Sequence, residues 1–123
     1  MSVKVDLERL ADTLADFTFA YLVTVGDDYH AHTVAVEPVL AEGVFEVGPV
    51  GGSTHRNATA HRDVTLVWPP AERGGYTLIV DGKSQLTEAD SELQIVPDRA
   101  VLHRKAAVGV ATKPGCKDDC LPL

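Results

Sequence analysis

The sequence predicts a mainly β protein: a six-stranded antiparallel barrel with one leading helix and one inserted helix. Short aromatic and β-branched runs recur at hairpin spacing, separated by Gly, Asp and Pro turn signals. Helical patterning is confined to the N-terminus and to a stretch after the third strand. Crossover helices between successive strands are otherwise absent, which argues against a doubly wound parallel sheet.

Leu7, Leu10, Leu14 and Phe17 recur at helical spacing and form one apolar stripe, so residues 6–16 read as a helix with Asp6 as its N-cap. The period then changes to two. Residues 19–25 are the first strand, and Gly26-Asp27-Asp28 turns the chain into a second, residues 29–37. His30, His32, Val34 and Val36 share one face of that strand. Pro38 marks a bulge or edge, and Glu42-Gly43 leads into a third strand, Val44 to Val47. After Gly48-Pro49-Val50-Gly51-Gly52, Ser53 or Thr54 caps a short helix that runs to about Arg62. Residues 64–68 form a fourth strand stopped by Pro69-Pro70, and Tyr76 to Val80 a fifth. Asp81-Gly82 reads as a hairpin turn into a sixth, Lys83 to Thr87. Residues 92–96 and 100–104 are further extended segments around Pro97-Asp98.

The 123 residues fit one domain, assigned to 1–112, followed by a turn-rich tail, 113–123. No apolar run approaches the ~20 residues of a membrane-spanning helix, and the N-terminus lacks the apolar core of a secretory signal. Eleven basic against eighteen acidic residues give a net charge of −7, which argues against nucleic acid and against anionic membranes as partners. The two cysteines, Cys116 and Cys120, both lie in the tail; they cannot staple a core, which suits a reducing cytoplasm. Zinc needs about four ligands, so no metal site is expected.

Gly51-Gly52-Ser53-Thr54-His55-Arg56-Asn57 is the segment richest in chemistry. Glycines admit close backbone approach. Unpaired N–H groups and the dipole at a helix start favour an anion there, and Arg56 can grip two phosphate oxygens. The same letters also describe an ordinary loop and cap with a solvated arginine. No nucleophile elbow, zinc-protease or phosphate-loop motif is present, so no catalytic residue is assigned. His103-Arg104-Lys105 is the densest basic cluster, either a solvated strand end or a second anion contact.

The order of elements resembles the pyridoxamine 5′-phosphate oxidase-like, FMN-binding split-barrel superfamily over about residues 5–106. The resemblance rests on the leading helix, the hairpin of residues 19–37, and the unit ending Arg62-Asp63-Val64-Thr65-Leu66. It also rests on Trp68-Pro69-Pro70, on Gly74-Gly75-Tyr76-Thr77-Leu78-Ile79-Val80-Asp81-Gly82, and on Arg99-Ala100-Val101-Leu102-His103-Arg104. The family's phosphate motif is roughly Ser-x-Lys-x-x-Asn-Leu. Asn57 matches its Asn, Thr54 stands at the Lys position, Ala58 stands at the Leu position, and Arg56 can restore the charge from nearby.

The resemblance implies a split barrel that works as a homodimer with FMN between the chains. It places Ser53, Thr54, Arg56 and Asn57 at the phosphate and the backbone near Thr33, Val34, Val47 and Gly48 at the polar edge of the ring; His30 and His32 either flank the ring or phosphate or are rim or core histidines satisfied by backbone. Trp68 is assigned to a flavin stack, to the dimer contact or to the core. The implied activity is FMN-dependent oxidation or reduction of a small molecule. A deazaflavin-dependent reductase and a non-catalytic ligand-binding split barrel are the alternatives. Pyridoxamine 5′-phosphate oxidase activity itself is not expected, because the family's additional C-terminal arginines have no counterpart here.

Overall fold

A computed structural model describes residues 1–87 and 92–105. Strand β1 (Ser2–Val5) leads through a 3₁₀ turn (Leu7–Arg9) into helix α1 (Leu10–Leu14). Then come β2 (Ala20–Val25), β3 (Ala31–Val36), β4 (Val39–Ala41), β5 (Val44–Pro49), helix α2 (Gly52–Ala60), β6 (Asp63–Trp68), β7 (Thr77–Leu86) and β8 (Glu92–His103). All pairings are antiparallel, in the order β3-β2-β6-β7-β8-β5-β4; β1 lies against the C-terminal half of β8 on the side where β5 covers the N-terminal half. The curled sheet stays open between β3 and β4.

Alternation sorts the strands into two faces. Leu22, Leu66, Val80, Ala100 and Val5 stand side by side across β2, β6, β7, β8 and β1, and all are buried. Phe45, Ile95 and Ser84 form a second buried row across β5, β8 and β7. Leu10 of α1 joins this core, and Leu14 and Phe17 pack against it.

Several elements differ from the sequence reading. The leading helix is shorter than 6–16 because the Asp6 side chain makes no cap hydrogen bond, so the first turn tightens to 3₁₀. The other end closes with i→i+3 bonds through Phe17 N–H to the Leu14 carbonyl, 3.0 Å. Eight strands are described rather than six: β1, the short β4 and β8 are additional, and the expected fifth and sixth are one strand, β7. Asp81-Gly82 is not a hairpin turn: β7 runs straight through it. A bulge lies opposite, where Asp81 pairs Arg99 and Gly82 pairs Pro97, so the extended segments around Pro97-Asp98 join into the single strand β8. Glycine is needed at 82 for space, since a Cβ there would come 2.5 Å from the Val96 carbonyl oxygen and 2.8 Å from Ile95 Cγ2. The tail, with Cys116 and Cys120, lies outside the described residues.

Candidate functional site

Helix α2 is the platform of the site, and two buried hydroxyls fix it to the sheet. Thr24 on β2 accepts a hydrogen bond from Asn57 Nδ2 at 3.2 Å, and Ser84 on β7 donates to the Ala58 carbonyl at 2.6 Å. Thr54 and Ala58, one turn apart, form the buried stripe of α2. Arg62, just beyond the helix, donates from Nε to the Ser84 carbonyl at 2.9 Å. Asn57 therefore spends its amide on the fold.

The helix start differs from the expected Ser53 or Thr54 cap. Gly51 is the N-cap, and no side chain caps the helix. The first intrahelical bond runs from His55 N–H to the Gly51 carbonyl, 2.9 Å. The N–H groups of the first turn before it have no helical partner, as at any helix start. A Cβ at Gly51 or Gly52 would meet nothing within 4 Å, and neither residue has a positive φ. Neither packing nor backbone conformation demands glycine there; its absence of side chain leaves the helix start open to approach.

Two contiguous grooves run beside this start. One, about 460 Å³, lies between the β2–β3 turn and α2 and is lined by residues including Asp27, Asp28, His30, His32, Ser53, Arg56 and Asn57. The other, about 390 Å³, is lined by residues including His32, Val34, Val36, Gly51, Ser53 and Thr54. His32 and Ser53 border both. Arg56 Nη2 donates to Ser53 Oγ at 3.4 Å, which leaves most of its guanidinium donors facing solvent. On the opposite wall the Asp28 carboxylate accepts from His30 N–H at 3.1 Å and meets the His30 ring at 3.0 Å. The backbone hydrogen bond first, and the ring second, hold the Asp28 carboxyl below its ordinary value. His61 at the end of α2 meets Asp27 at 2.7 Å and ties helix to turn.

The structure thus brings His32, Val34, Ser53, Thr54, Arg56 and Asn57 to one groove system. Thr33 points to the opposite, exposed side of β3; its backbone still belongs to a sheet edge, because β3 ends the strand order. Val47 packs against the core, and Gly48 carries a positive φ at the β5–β8 register shift, so neither lines these grooves. Trp68 is not a ring-stacking residue: it is 2% exposed, in the core, with its ring centroid 5.3 Å from that of Phe45. The alternating Leu66 and Trp68 on a strand buried on one face carried that signal. Arg104 lies over the Tyr76 ring, 4.6 Å from its centroid, and His103 meets Ser2 at 3.1 Å, so two members of the basic cluster are engaged at the end of β8. Sequence reasoning left Asp27 and Asp28 as turn residues; their place on the groove depends on the packing of the hairpin against α2, where Asp27 meets His61.

No protein-family model matches the chain. Two mycobacterial proteins, Mb0449c of Mycobacterium bovis and MT0457 of Mycobacterium tuberculosis, are each 47% identical over 96% of this chain and 94% of their own. Their names assign no activity. A FAD-binding protein of Mesorhizobium loti superposes with a TM-score of 0.64 at 11% identity, covering 84% of this chain and 99% of its own. The FAD binding protein of Mycobacterium smegmatis gives 0.59 at 14%, covering 85% and 100%. An F420 reductase gives 0.55 at 18%, covering 77% and 93%. The fold is that of the flavin-binding split barrels. The chain belongs to one family with these two mycobacterial proteins, and it shares the fold of the pyridoxamine 5′-phosphate oxidase-like split barrels.

Proposed function

We propose that the chain binds FMN in the groove beside α2 and acts as an FMN-dependent oxidoreductase on a small molecule, as a cytoplasmic homodimer. One observation carries this reading: the helix start at Gly51-Gly52 is open, with unpaired N–H groups and the Arg56 guanidinium beside it, and neither packing nor φ accounts for the two glycines. This donor set suits a phosphate dianion. Arg56 and the first-turn N–H groups would hold the phosphate, and Ser53 would steady the guanidinium. Thr24 and Ser84 keep α2 in place through Asn57 and Ala58. The free edge of β3 offers backbone groups to the polar rim of a planar ring. Bound flavin would supply the redox chemistry, and the protein would supply position and electrostatics.

A deazaflavin cofactor is the second reading, favoured by the likeness to an F420 reductase. Its long acidic tail is poorly matched to a wall carrying Asp27 and Asp28 and to a net charge of −7.

The test compares FMN, riboflavin and a deazaflavin by flavin fluorescence. Arg56→Ala should weaken FMN by roughly 10- to 150-fold, the loss of a charge-assisted contact of ~1.5–3 kcal/mol. Riboflavin, which lacks the phosphate, should be almost unaffected. Equal losses for the two would mean that Arg56 acts through folding, and preferential uptake of the deazaflavin would establish the second reading.

A further inference from the structure

Among the described residues the buried polar side chains are Thr24, Thr54 and Ser84. A buried hydroxyl is costly unless a hydrogen bond offsets its loss of water. Thr24 and Ser84 find theirs in Asn57 and the Ala58 carbonyl. Thr54 has no such partner: it is 2% exposed, and its hydroxyl takes part in no side-chain hydrogen bond among the described residues. The usual outlet for a helical threonine is the carbonyl four residues earlier. Thr13 donates to the Arg9 carbonyl in this way at 3.1 Å, and Thr59 to the His55 carbonyl at 2.7 Å. Thr54 stands in the first turn of α2, so the residue four before it, Val50, precedes the helix.

The hydroxyl is not sealed in. The side-chain oxygen that is both wholly enclosed and unpaired among the described residues belongs to Thr87. Thr54 Oγ1 therefore keeps contact with open space, and the space that Thr54 lines is the 390 Å³ groove beside β3. Val34, Val36, Pro49 and Val50 give that groove an apolar wall. Thr54 borders this groove and not the first, whereas Arg56 borders the first and not this one. The two side chains thus suit opposite ends of a ligand that spans both grooves.

We propose that Thr54 is a ligand-contact residue of the second groove, its hydroxyl hydrogen-bonding a carbonyl oxygen or ring nitrogen on the planar part of a ligand whose phosphate is held beside Arg56. The inference rests on the FMN reading above, and it moves Thr54 from the phosphate, where the family motif sets it, to the ring end. A lone hydroxyl in an apolar wall selects its ligand. A ring that offers a partner gains a bond shielded from water, and one that offers none leaves the hydroxyl buried and unpaired.

The experiment sets stability against affinity. Thr54→Val keeps the branched shape and removes the hydroxyl. Without flavin it should melt within about 3 °C of wild type or above it, because no bond within the fold is lost. It should bind FMN and riboflavin more weakly by the same factor, roughly 3- to 10-fold, the scale of one hydrogen bond. Thr54→Ser, which keeps the hydroxyl, should restore both affinities to within about twofold of wild type. Unchanged affinity in the valine variant overturns the proposal, as does a serine variant that binds no better than valine. A valine variant that melts well below wild type overturns it in favour of a role in the fold. A loss confined to FMN overturns it in favour of a phosphate contact; all four results leave the FMN reading intact. Wild-type protein that takes up neither flavin fails the FMN reading itself, and the proposal with it.

Discussion

Gly82 and Trp68 are both buried, and each is set by one close neighbour. Gly82 follows Asp81 and so reads as a turn, yet it lies mid-strand under the Val96 backbone. Gly82→Ala has no rotamer with which to escape a contact of 2.5 Å to a carbonyl oxygen, so strand β7 or β8 must shift. The expected cost is about 1–3 kcal/mol, the range for overpacking a core, read from urea unfolding. A neutral result would mean that the bulge opposite can slide. Trp68 sits tilted against Phe45 within the core, where its large apolar surface closes the barrel interior. The donor groups of the groove come instead from α2, and Asn57, the residue that matches the family's phosphate motif, turns its amide inward to Thr24.

At the scale of elements, one ion-pair cluster spans three strands. Lys83 on β7 pairs with Asp63 on β6 and, at 3.5 Å, with Asp98 at the β8 bulge. The hydrogen bond and charge of Lys83 hold the Asp63 carboxyl below 3.8, and Asp63 in turn raises Lys83 above 10.5. The Asp63 contribution to stability is complete above pH 3.8 and is lost as pH falls through its lower folded value. The Lys83 contribution is complete below pH 10.5 and is lost as pH rises through its higher folded value. Lys83→Met should therefore lower the melting temperature by a constant amount between those limits, with the difference shrinking at both ends. The groups are exposed, so the difference should be small and should also shrink at about 1 M salt, where the screening length is ~3 Å. Thermal melts across pH and salt check this; a salt-independent difference would point to lost packing of the lysine stem.

The whole molecule presents an outer sheet face as ordered as its inner one. Tyr21, Val67, Ile79 and Val101 align across β2, β6, β7 and β8 on the side away from the core. Tyr21 is exposed and the other three are half-buried. The sheet also ends at β3 and β4, each with one edge unpaired among the described residues. An apolar row and open edges favour association with a second copy. Sedimentation at micromolar concentration should give a dimer, and Val67→Lys should shift it towards monomer; a wild-type monomer would overturn the homodimer. No helix among the described residues is long and apolar enough to cross a membrane.

The sequence alone determined the fold class, because that rests on local patterning, and it singled out the helix start that borders the two grooves. Period-two alternation names the strands, Glu42-Gly43 adopts the positive φ values of a two-residue hairpin turn, and the glycine–serine–arginine run marks the start of α2. Val3 and Val5 alternating with Ser2 and Lys4 also held the signal for β1, too short to stand out without its partner β8. Tertiary structure decided what depends on pairing and on close approach. Whether Asp81-Gly82 turns or runs on is set by the register of β7 against β8, where the bulge at Asp98 absorbs the irregularity. Which of the polar residues on α2 face the groove depends on two buried hydroxyls, Thr24 and Ser84, which hold α2 across 33 and 26 residues of chain. Contacts between residues so far apart leave no periodic trace in the sequence.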